Sequence, residues 1–309
     1  MKNKIMALKV VFMGTPQFAV PALKKICENE MDIVAVYSQP PKKSNRGMKI
    51  EKSPVHEFAD DNNLNIRTPG KLDDDWEYFK SLKFDLAIVV AYGQIISKNF
   101  LELSEHGFLN IHASILPKWR GAAPIQRSIM EQDTFTGISI MQIEEQLDAG
   151  PVLIKQEIEL NENSTAGQVE QSLSEIGADK ILEAIYLIEK KEAVYTPQDH
   201  NAATYAKKIK KEDEVIDWTR DAKVIIAQIN GLNPRPGACF EYKGEKIKIW
   251  KASHGSGDGE PGTVMNDHLQ IACGKGSISV EEIQRPGKKI QPIKIFLLGF
   301  AIPESAQLN

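Results

Sequence analysis

The apolar run at residues 86–91 is the feature that most constrains the fold of this chain. It reads Leu-Ala-Ile-Val-Val-Ala, without a polar side chain. A strand with one face in water alternates apolar and polar residues, whereas a strand covered on both faces of a parallel sheet is apolar throughout. Further strand-like runs lie at 8–13, 33–37, 108–111, 138–143 and 152–157, and helical runs at 21–29, 54–63, 124–132 and 166–188. This alternation predicts an α/β fold built on a mostly parallel sheet.

The turn after the first predicted strand argues against a dinucleotide-binding protein. Gly14, Thr15 and Pro16 stand where such proteins carry a glycine-rich phosphate fingerprint. Pro16 has no backbone N–H to offer to a phosphate. We therefore predict a Rossmann-like sheet that does not bind NAD.

The second part of the chain has a different pattern. Residues 190–207 contain Pro197 and show little periodicity, so we interpret them as a linker between a domain at 1–189 and a domain at 208–309. A short helix is predicted at 222–230. Brief strand-like runs with glycine-containing turns follow at 238–242, 246–252, 262–265, 269–272 and 277–283. Such a pattern is typical of a small all-β domain.

Composition and charge narrow the functional classes. A hydrophobic content of 42% with 26% charged residues is ordinary for a soluble globular protein. The net charge of −4 gives no overall basic excess, but residues 195–309 carry 16 Lys and Arg against 14 Asp and Glu, which permits a polyanionic partner. Cys27, Cys239 and Cys273 lack metal-ligand spacing, and no apolar run approaches the roughly 20 residues that span a bilayer. We expect reduced thiols and a cytoplasmic location.

Two polar side chains stand at the end of a predicted strand. Asn110 and His112 lie two residues apart and so share one face of that strand, and α/β sheets bind ligands at the carboxyl ends of their strands. Asp148 lies in a turn from which it can reach the same crevice. An amide can hold a carbonyl oxygen that gains charge during attack, and an imidazole can donate or move a proton. Each residue alone has an ordinary structural role, so the combination carries the prediction.

The sequence around these residues resembles a known family. Residues 110–127 resemble the core of the 10-formyltetrahydrofolate-dependent formyltransferases. The resemblance extends over nearly the whole chain, is strongest up to Gly150, and narrows to the branch of the family that acts on methionyl-tRNA. Further matching segments occur in the order of that family at residues 11–19, 38–40, 53–55, 90–93 and 147–150.

The resemblance implies an enzyme that moves a formyl group from 10-formyltetrahydrofolate to the methionine amine of initiator tRNA. Asn110, His112 and Asp148 are then the catalytic residues. Asn110 and protonated His112 hold the oxygen of the tetrahedral intermediate, while Asp148 orients His112 and favours its charged form. Neither a metal nor a covalent enzyme intermediate is expected.

The binding residues also follow from the resemblance. Backbone groups of Ala91, Tyr92 and Gly93 are expected to contact the folate, together with the segment Ser114, Ile115, Leu116 and Pro117. The loop at residues 39–53 carries five cations against Glu51 alone, which is typical of a solvated surface loop or of a phosphate-binding one. The resemblance favours tRNA contact by Lys42, Lys43, Arg46 and Lys49. It also implies that the C-terminal domain is an oligonucleotide-binding-like β-barrel, and a monomer binding one tRNA is expected.

Two alternatives remain open at the level of sequence. A folate-dependent N-formyltransferase for an amino sugar or another small amine would share Asn110, His112 and Asp148 but would not need the basic loop. A non-catalytic nucleic-acid-binding protein would not need those three residues. Arg120 and Arg127 flank the exit of the candidate strand, and we give neither a catalytic role, because structural arginines are commoner.

Overall fold

The structure of the protein, a computed structural model, describes residues 8–44 and 49–308. The strands up to residue 159 are β1 Lys9–Gly14, β2 Asp32–Tyr37, β3 Lys42–Ser44, β4 Lys49–Glu51, β5 Ile66–Arg67, β6 Leu86–Val90, β7 Phe108–His112, β8 Arg120–Gly121, β9 Phe135–Gln142 and β10 Val152–Glu159. The helices up to residue 189 are α1 Val20–Glu28, α2 Pro54–Asp61, α3 Trp76–Ser81, α4 Lys98–Leu101, α5 Pro124–Met130 and α6 Ala166–Glu189. The remaining elements are β11 Tyr205–Ala206, α7 Ala222–Gly231, β12 Ala238–Tyr242, β13 Glu245–His254, β14 Gln270–Ala272, β15 Ser277–Gln284, β16 Gln291–Pro292 and α8 Ile293–Gly299.

The apolar run forms β6, near the centre of a seven-stranded sheet with the order β10-β9-β7-β6-β1-β2-β5. Every residue of β6 is buried, as predicted for a strand covered on both faces. β1 pairs in parallel with β2 and β6, β6 with β7, and β2 with β5, whereas β9 pairs antiparallel with β7. The carboxyl ends of β1, β6 and β7 therefore lie at one edge of the sheet, where ligands of α/β proteins bind.

The second sheet is antiparallel, with β12, β13, β15 and β14 in order and β16 beside β15. Lys243 and Gly244 both have positive φ, 51° and 74°, in the two-residue turn that joins β12 to β13. α7 contributes Ile225 and Ile229 to the core of this sheet, which also contains Phe240 and Ile249. The predicted mixed α/β fold, with a mostly parallel sheet and a C-terminal antiparallel sheet, is confirmed.

Some predicted elements differ from the observed ones. No continuous strand covers residues 262–265, where Thr263 and Val264 make isolated bridges instead. The pattern also gave no indication of β5, α3, α4 or α8, which are at most seven residues long and too short to show a clear period. Among the helices of the described residues, none has the length and apolar character that crossing a bilayer requires.

The chain forms two compact units, and the segments that make them up alternate along the sequence. One comprises residues up to 121 with 137–158 and 170–205, and the other comprises 122–136, 159–169 and the chain from 206 onward. The domain boundaries inferred from sequence, at 189 and 208, stay a prediction.

Gly137 in β9 offers a test of how tightly the first unit is packed. A Cβ at this position would lie 2.1 Å from the Gln156 carbonyl oxygen and 2.4 Å from Ile115 Cδ1. We expect Gly137→Ala to lower the free energy of unfolding by about 3 kcal/mol, because a backbone atom cannot easily yield. Urea denaturation measures this change. Gly70→Ala is the matched control, since nothing lies within 4 Å of its Cβ position, and equal stability of the two variants would contradict the prediction.

Candidate active site

β7 carries the two polar residues to the edge of the sheet. Asn110 lies beside Val89 of β6 and Met141 of β9, and His112 lies beside Ser139 of β9. The side chain of Asn110 is partly exposed, and it forms no hydrogen bond within the part of the chain that the structure describes. His112 is only 5% exposed. The strand thus presents a free amide next to an almost buried imidazole.

Both ring nitrogens of His112 face acceptor groups. Nε2 lies 2.9 Å from the carbonyl oxygen of Trp119, and Nδ1 lies 3.7 Å from Asp148 Oδ2. A carbonyl oxygen can only accept, so Nε2 carries a proton in this contact. The distance from Nδ1 to Asp148 is that of an ion pair rather than of a direct hydrogen bond. Both ring nitrogens therefore point at acceptors, Nε2 at hydrogen-bond distance and Nδ1 at ion-pair distance.

Asp148 is held in place by a backbone donor and by its own unusual conformation. Its Oδ2 accepts a hydrogen bond of 2.7 Å from the backbone N–H of Gly121. Its φ of 47° lies in the left-handed region, which residues other than glycine enter at a free-energy cost. The structure therefore places the carboxylate of Asp148 3.7 Å from His112 Nδ1.

The segment that follows β7 is anchored by Ser139. The hydroxyl of Ser139 donates to the Ser114 carbonyl at 2.7 Å and accepts from the Leu116 N–H at 3.0 Å. The Ser114 hydroxyl donates in turn to the Lys118 carbonyl at 2.6 Å. Ser114 and Leu116 are both fully buried, while Ile115 and Pro117 are partly exposed. The buried side chains of Ser114 and Leu116 therefore stabilise the conformation of this loop.

In the segment after β6, the first and third residues are exposed and the second is buried. Ala91 and Gly93 are exposed and have positive φ, 47° and 84°, whereas the ring of Tyr92 is 1% exposed. The Tyr92 carbonyl accepts hydrogen bonds from Thr15 Oγ1 at 2.8 Å and from Gln39 Nε2 at 3.3 Å. Two side chains thus fix the backbone of this segment and leave the groups at 91 and 93 accessible.

The basic loop contains a two-stranded hairpin of β3 and β4, in which Lys42 pairs with Glu51. Lys42 is exposed. Lys52 behaves differently, since its Nζ contacts Asp60 Oδ2 at 2.5 Å, and this hydrogen bond raises the pKa of Lys52. Arg46 lies outside the described residues, and only the backbones of Lys43 and Lys49 are described.

The sequence analysis missed Gln198 and gave Arg120 no catalytic role, but the two side chains are linked to the loop of Asp148. Gln198, in the segment interpreted as a linker, donates to the carbonyls of Asp148 and Gly150 at 2.9 and 2.7 Å. Arg120 donates to Gln198 and, at 3.3 Å, to His200 Nδ1. Nothing in the local pattern around Gln198 signals these contacts.

Arg127 forms a structural ion pair in the second unit. Its Nη1 and Nη2 lie 3.0 and 2.8 Å from the two carboxylate oxygens of Asp213, and the hydrogen bond from Arg127 lowers the pKa of Asp213.

Comparisons with known proteins show the family to which this chain belongs. The family model for formyl transferase matches residues 8–185, and the model for the formyl transferase C-terminal domain matches residues 208–301. Methionyl-tRNA formyltransferase of Pelagibacter ubique is 50% identical over 98% of this chain and 99% of its own length. The Ruegeria pomeroyi protein of the same name is 46% identical over 97% of this chain and 100% of its own length.

Solved structures show the same fold at lower identity. Methionyl-tRNA formyltransferase from Clostridium thermocellum has a TM-score of 0.58 at 21% identity, covering 81% of this chain and 95% of its own. An N-formyltransferase from Helicobacter canadensis, solved with folinic acid and dTDP-3-aminofucose, has a TM-score of 0.67 at 18% identity, covering 91% and 100%. The match over nearly full length at up to 50% identity decides the assignment. This chain belongs to the formyltransferase family and, within it, to the methionyl-tRNA formyltransferases.

Proposed function

We propose that this enzyme transfers the formyl group of 10-formyltetrahydrofolate to the α-amine of methionyl initiator tRNA and so makes N-formylmethionyl-tRNA for translation initiation. The observation that carries the proposal is the pairing of His112 with Asp148 beside the free amide of Asn110, at the ligand-binding edge of the sheet. The names of the relatives identify methionyl-tRNA as the acceptor. The cytoplasm is the proposed location, because the acceptor is a component of translation.

The reaction proceeds without a covalent bond between the protein and the substrate. The neutral amine attacks the formyl carbon, a new C–N bond forms, and the carbonyl oxygen takes the electron pair. The intermediate then collapses, the bond from carbon to the folate N10 breaks, and the proton lost by the amine ends on N10. The barrier is dominated by charge on the carbonyl oxygen and by this proton transfer.

Asn110 and His112 stabilise the negative charge that develops on that oxygen. The Asn110 side-chain N–H donates to it, and this donor is available because no described residue occupies it. His112 lies on the same strand two residues further on, about 7 Å along the backbone. With protons on both nitrogens it places a full positive charge near the oxygen, in a site where little water screens that charge.

Asp148 balances the charge of His112 and accepts the amine proton for transfer toward N10. Its carboxylate has one oxygen on the Gly121 N–H and lies at ion-pair distance from Nδ1. We expect this distance of 3.7 Å to shorten in the substrate complex, because catalytic hydrogen bonds are often long in the free enzyme and tighten when substrate binds.

The folate is proposed to lie along the two segments that follow β6 and β7. A heterocycle is recognised by a few backbone donors and acceptors in a partly apolar slot. Ala91 and Gly93 expose such groups, while Tyr92 contributes through its backbone because its ring is buried. Ser114, Ile115, Leu116 and Pro117 form the other wall, where Ser114 and Leu116 likewise act through the backbone.

The tRNA is proposed to contact the hairpin of β3 and β4 through Lys42, Lys43, Arg46 and Lys49. A basic segment grips phosphates without base specificity, so initiator recognition there depends on the shape of the tRNA end. A second basic run lies in the other unit, where Lys207, Lys208, Lys210 and Lys211 are all exposed. We propose that the protein is a monomer that binds one tRNA and that its domain boundaries lie at 189 and 208.

Lys42→Ala is expected to raise the KM for tRNA severalfold and leave the KM for folate unchanged. Each lost phosphate contact reduces the slope of log affinity against log salt by about 0.7 to 0.9. Steady-state kinetics measures the two KM values. Titration of tRNA binding at several salt concentrations measures the slope. Lys52→Ala is the matched control, because Asp60 already neutralises that lysine. Equal losses in the two variants would rule out a specific role for Lys42.

The acceptor class is tested by following folate consumption with different amines. The purified protein is given 10-formyltetrahydrofolate and either methionine-charged initiator tRNA or a dTDP-linked amino sugar. We expect turnover with the charged tRNA alone. Turnover with the sugar and none with the tRNA would replace the proposal by the sugar enzyme, and tight tRNA binding without turnover would make the chain a binding protein.

A further inference from the structure

Arg120 is a cation inside the first unit. It is 1% exposed, which places a charged group where water cannot solvate it. Its guanidinium donates to the side-chain oxygen of Gln198 from Nε at 3.1 Å and from Nη2 at 2.8 Å, and to His200 Nδ1 at 3.3 Å. A planar donor fork that grips one amide oxygen twice fixes both the position and the tilt of that amide.

The grip on Gln198 also decides which way its amide faces. A guanidinium can only donate, so the amide oxygen must face Arg120 and the amide nitrogen must face away from it. The nitrogen then donates to the carbonyls of Asp148 and Gly150, at 2.9 and 2.7 Å. Gln198 is 8% exposed, so water does not easily take over these bonds. Arg120 therefore acts on the Asp148 loop through a single side chain.

The loop at residues 148–150 has a backbone conformation that these hydrogen bonds can stabilise. Asp148 has a φ of 47°, and a Cβ at Gly150 would lie 2.0 Å from the Gln142 carbonyl oxygen. The loop thus combines an unfavourable backbone conformation with a close approach to β9. Two donors on neighbouring carbonyls stabilise this shape against alternatives in which the carboxylate swings away from His112.

The backbone on either side of Arg120 contacts the same pair of catalytic groups. The Trp119 carbonyl accepts from His112 Nε2, and the Gly121 N–H donates to Asp148 Oδ2. The Arg120 N–H is itself fixed by the Thr204 carbonyl at 2.9 Å. Three consecutive residues therefore hold the imidazole, the carboxylate and, through Gln198, the carbonyl of the aspartate.

We propose that Arg120 and Gln198 are positioning residues that fix the Asp148 carboxylate beside His112. They do not touch the substrate. They act by keeping the Asp148 carboxylate at ion-pair distance from His112, where it can take the proton of the amine. The kinetic part of this inference rests on the proposed function, whereas its geometric part does not.

Gln198→Glu separates positioning from general stability. The glutamate keeps an acceptor for Arg120 and makes the contact an ion pair, but it presents an oxygen where the two carbonyls of the loop require a donor. We expect kcat to fall about 10- to 100-fold with the KM values for folate and tRNA nearly unchanged, since misplacing a catalytic group mainly affects the transition state. Arg120→Lys, which loses the fork but keeps the charge, should give a smaller fall.

Hydrogen exchange of the Gly121 amide gives a readout that does not depend on any substrate. This amide is protected by the Asp148 carboxylate, so its exchange in Gln198→Glu should accelerate about tenfold if the carboxylate leaves its place. Arg127→Lys is the matched control, because that arginine pairs with Asp213 in the second unit. It should change neither kcat nor the exchange of Gly121.

Two outcomes would overturn the inference. One is a Gln198→Glu enzyme with normal kcat and normal protection of Gly121. The other is a Gln198→Glu enzyme whose kcat falls only because the protein is less stable. In that case the melting temperature falls, but the Gly121 amide stays protected at temperatures where the protein is folded. If the protein formylates no tRNA at all, the proposed function fails, and the exchange of Gly121 still decides whether Arg120 and Gln198 position Asp148.

Discussion

His112→Ala is expected to remain folded and to lose about three orders of magnitude in kcat. The variant removes the positive charge near the developing oxyanion and the cation that orients the Asp148 carboxylate for proton transfer, and each contribution is typically worth 10²- to 10⁴-fold. The two are not additive, because both act on the same intermediate. Steady-state formylation of charged initiator tRNA measures the loss, and the KM values should change little.

The control for this variant is His106→Ala, which changes a histidine just before β7, at the opposite end of the strand from the site. Removing the buried ring of His112 is also expected to cost about 1 to 3 kcal/mol of stability, so circular dichroism and thermal unfolding must accompany the kinetics. A folded His112→Ala enzyme with near-normal turnover would end the proposed mechanism.

Asn110→Ala should lower kcat by about 10²- to 10³-fold, the usual effect of deleting one donor to an oxyanion. Asn110→Asp should be worse than Asn110→Ala, although it has nearly the same shape, because a carboxylate offers no donor and repels the negative oxygen. The side chain of Asn110 is partly exposed and has no hydrogen-bond partner among the described residues, so its loss should change stability by less than about 1 kcal/mol.

The informative comparison is which of the two variants, Asn110→Ala or Asn110→Asp, has the lower kcat. An aspartate variant as active as the unmodified enzyme would show that position 110 supplies no hydrogen bond to the oxygen. An alanine variant that loses affinity for folate but keeps kcat would place Asn110 in ground-state binding, which also contradicts its proposed role.

The sheet and the pairing of His112 with Asp148 could be predicted because each depends on a local signal. β6 is uniformly apolar, β7 ends in two polar residues on one face, and Asp148 stands in a turn after a strand that pairs with β7. The carboxyl ends of neighbouring strands meet at one edge of a sheet, so such residues converge whatever the details of the loops.

The partners of these residues could not be predicted in the same way. The Trp119 carbonyl and the Gly121 N–H are backbone groups, which carry no sequence signature. Gln198 lies 50 residues from Asp148 in a segment without periodicity, and its contact depends on how the chain returns to the sheet. Arg120 looked like an ordinary structural arginine, and its burial and its contact with Gln198 distinguish it from Arg127, which pairs with Asp213.

The most direct test of the account is the initial rate of N-formylmethionyl-tRNA formation by the unmodified enzyme. It is measured with 10-formyltetrahydrofolate and methionine-charged initiator tRNA, alongside methionine-charged elongator tRNA and the uncharged initiator. We predict rapid formylation of the charged initiator, much slower formylation of the elongator, and none of the uncharged tRNA. Equal rates with both charged tRNAs would contradict the proposed recognition of the tRNA end, and no formylated product with either would contradict the central claim.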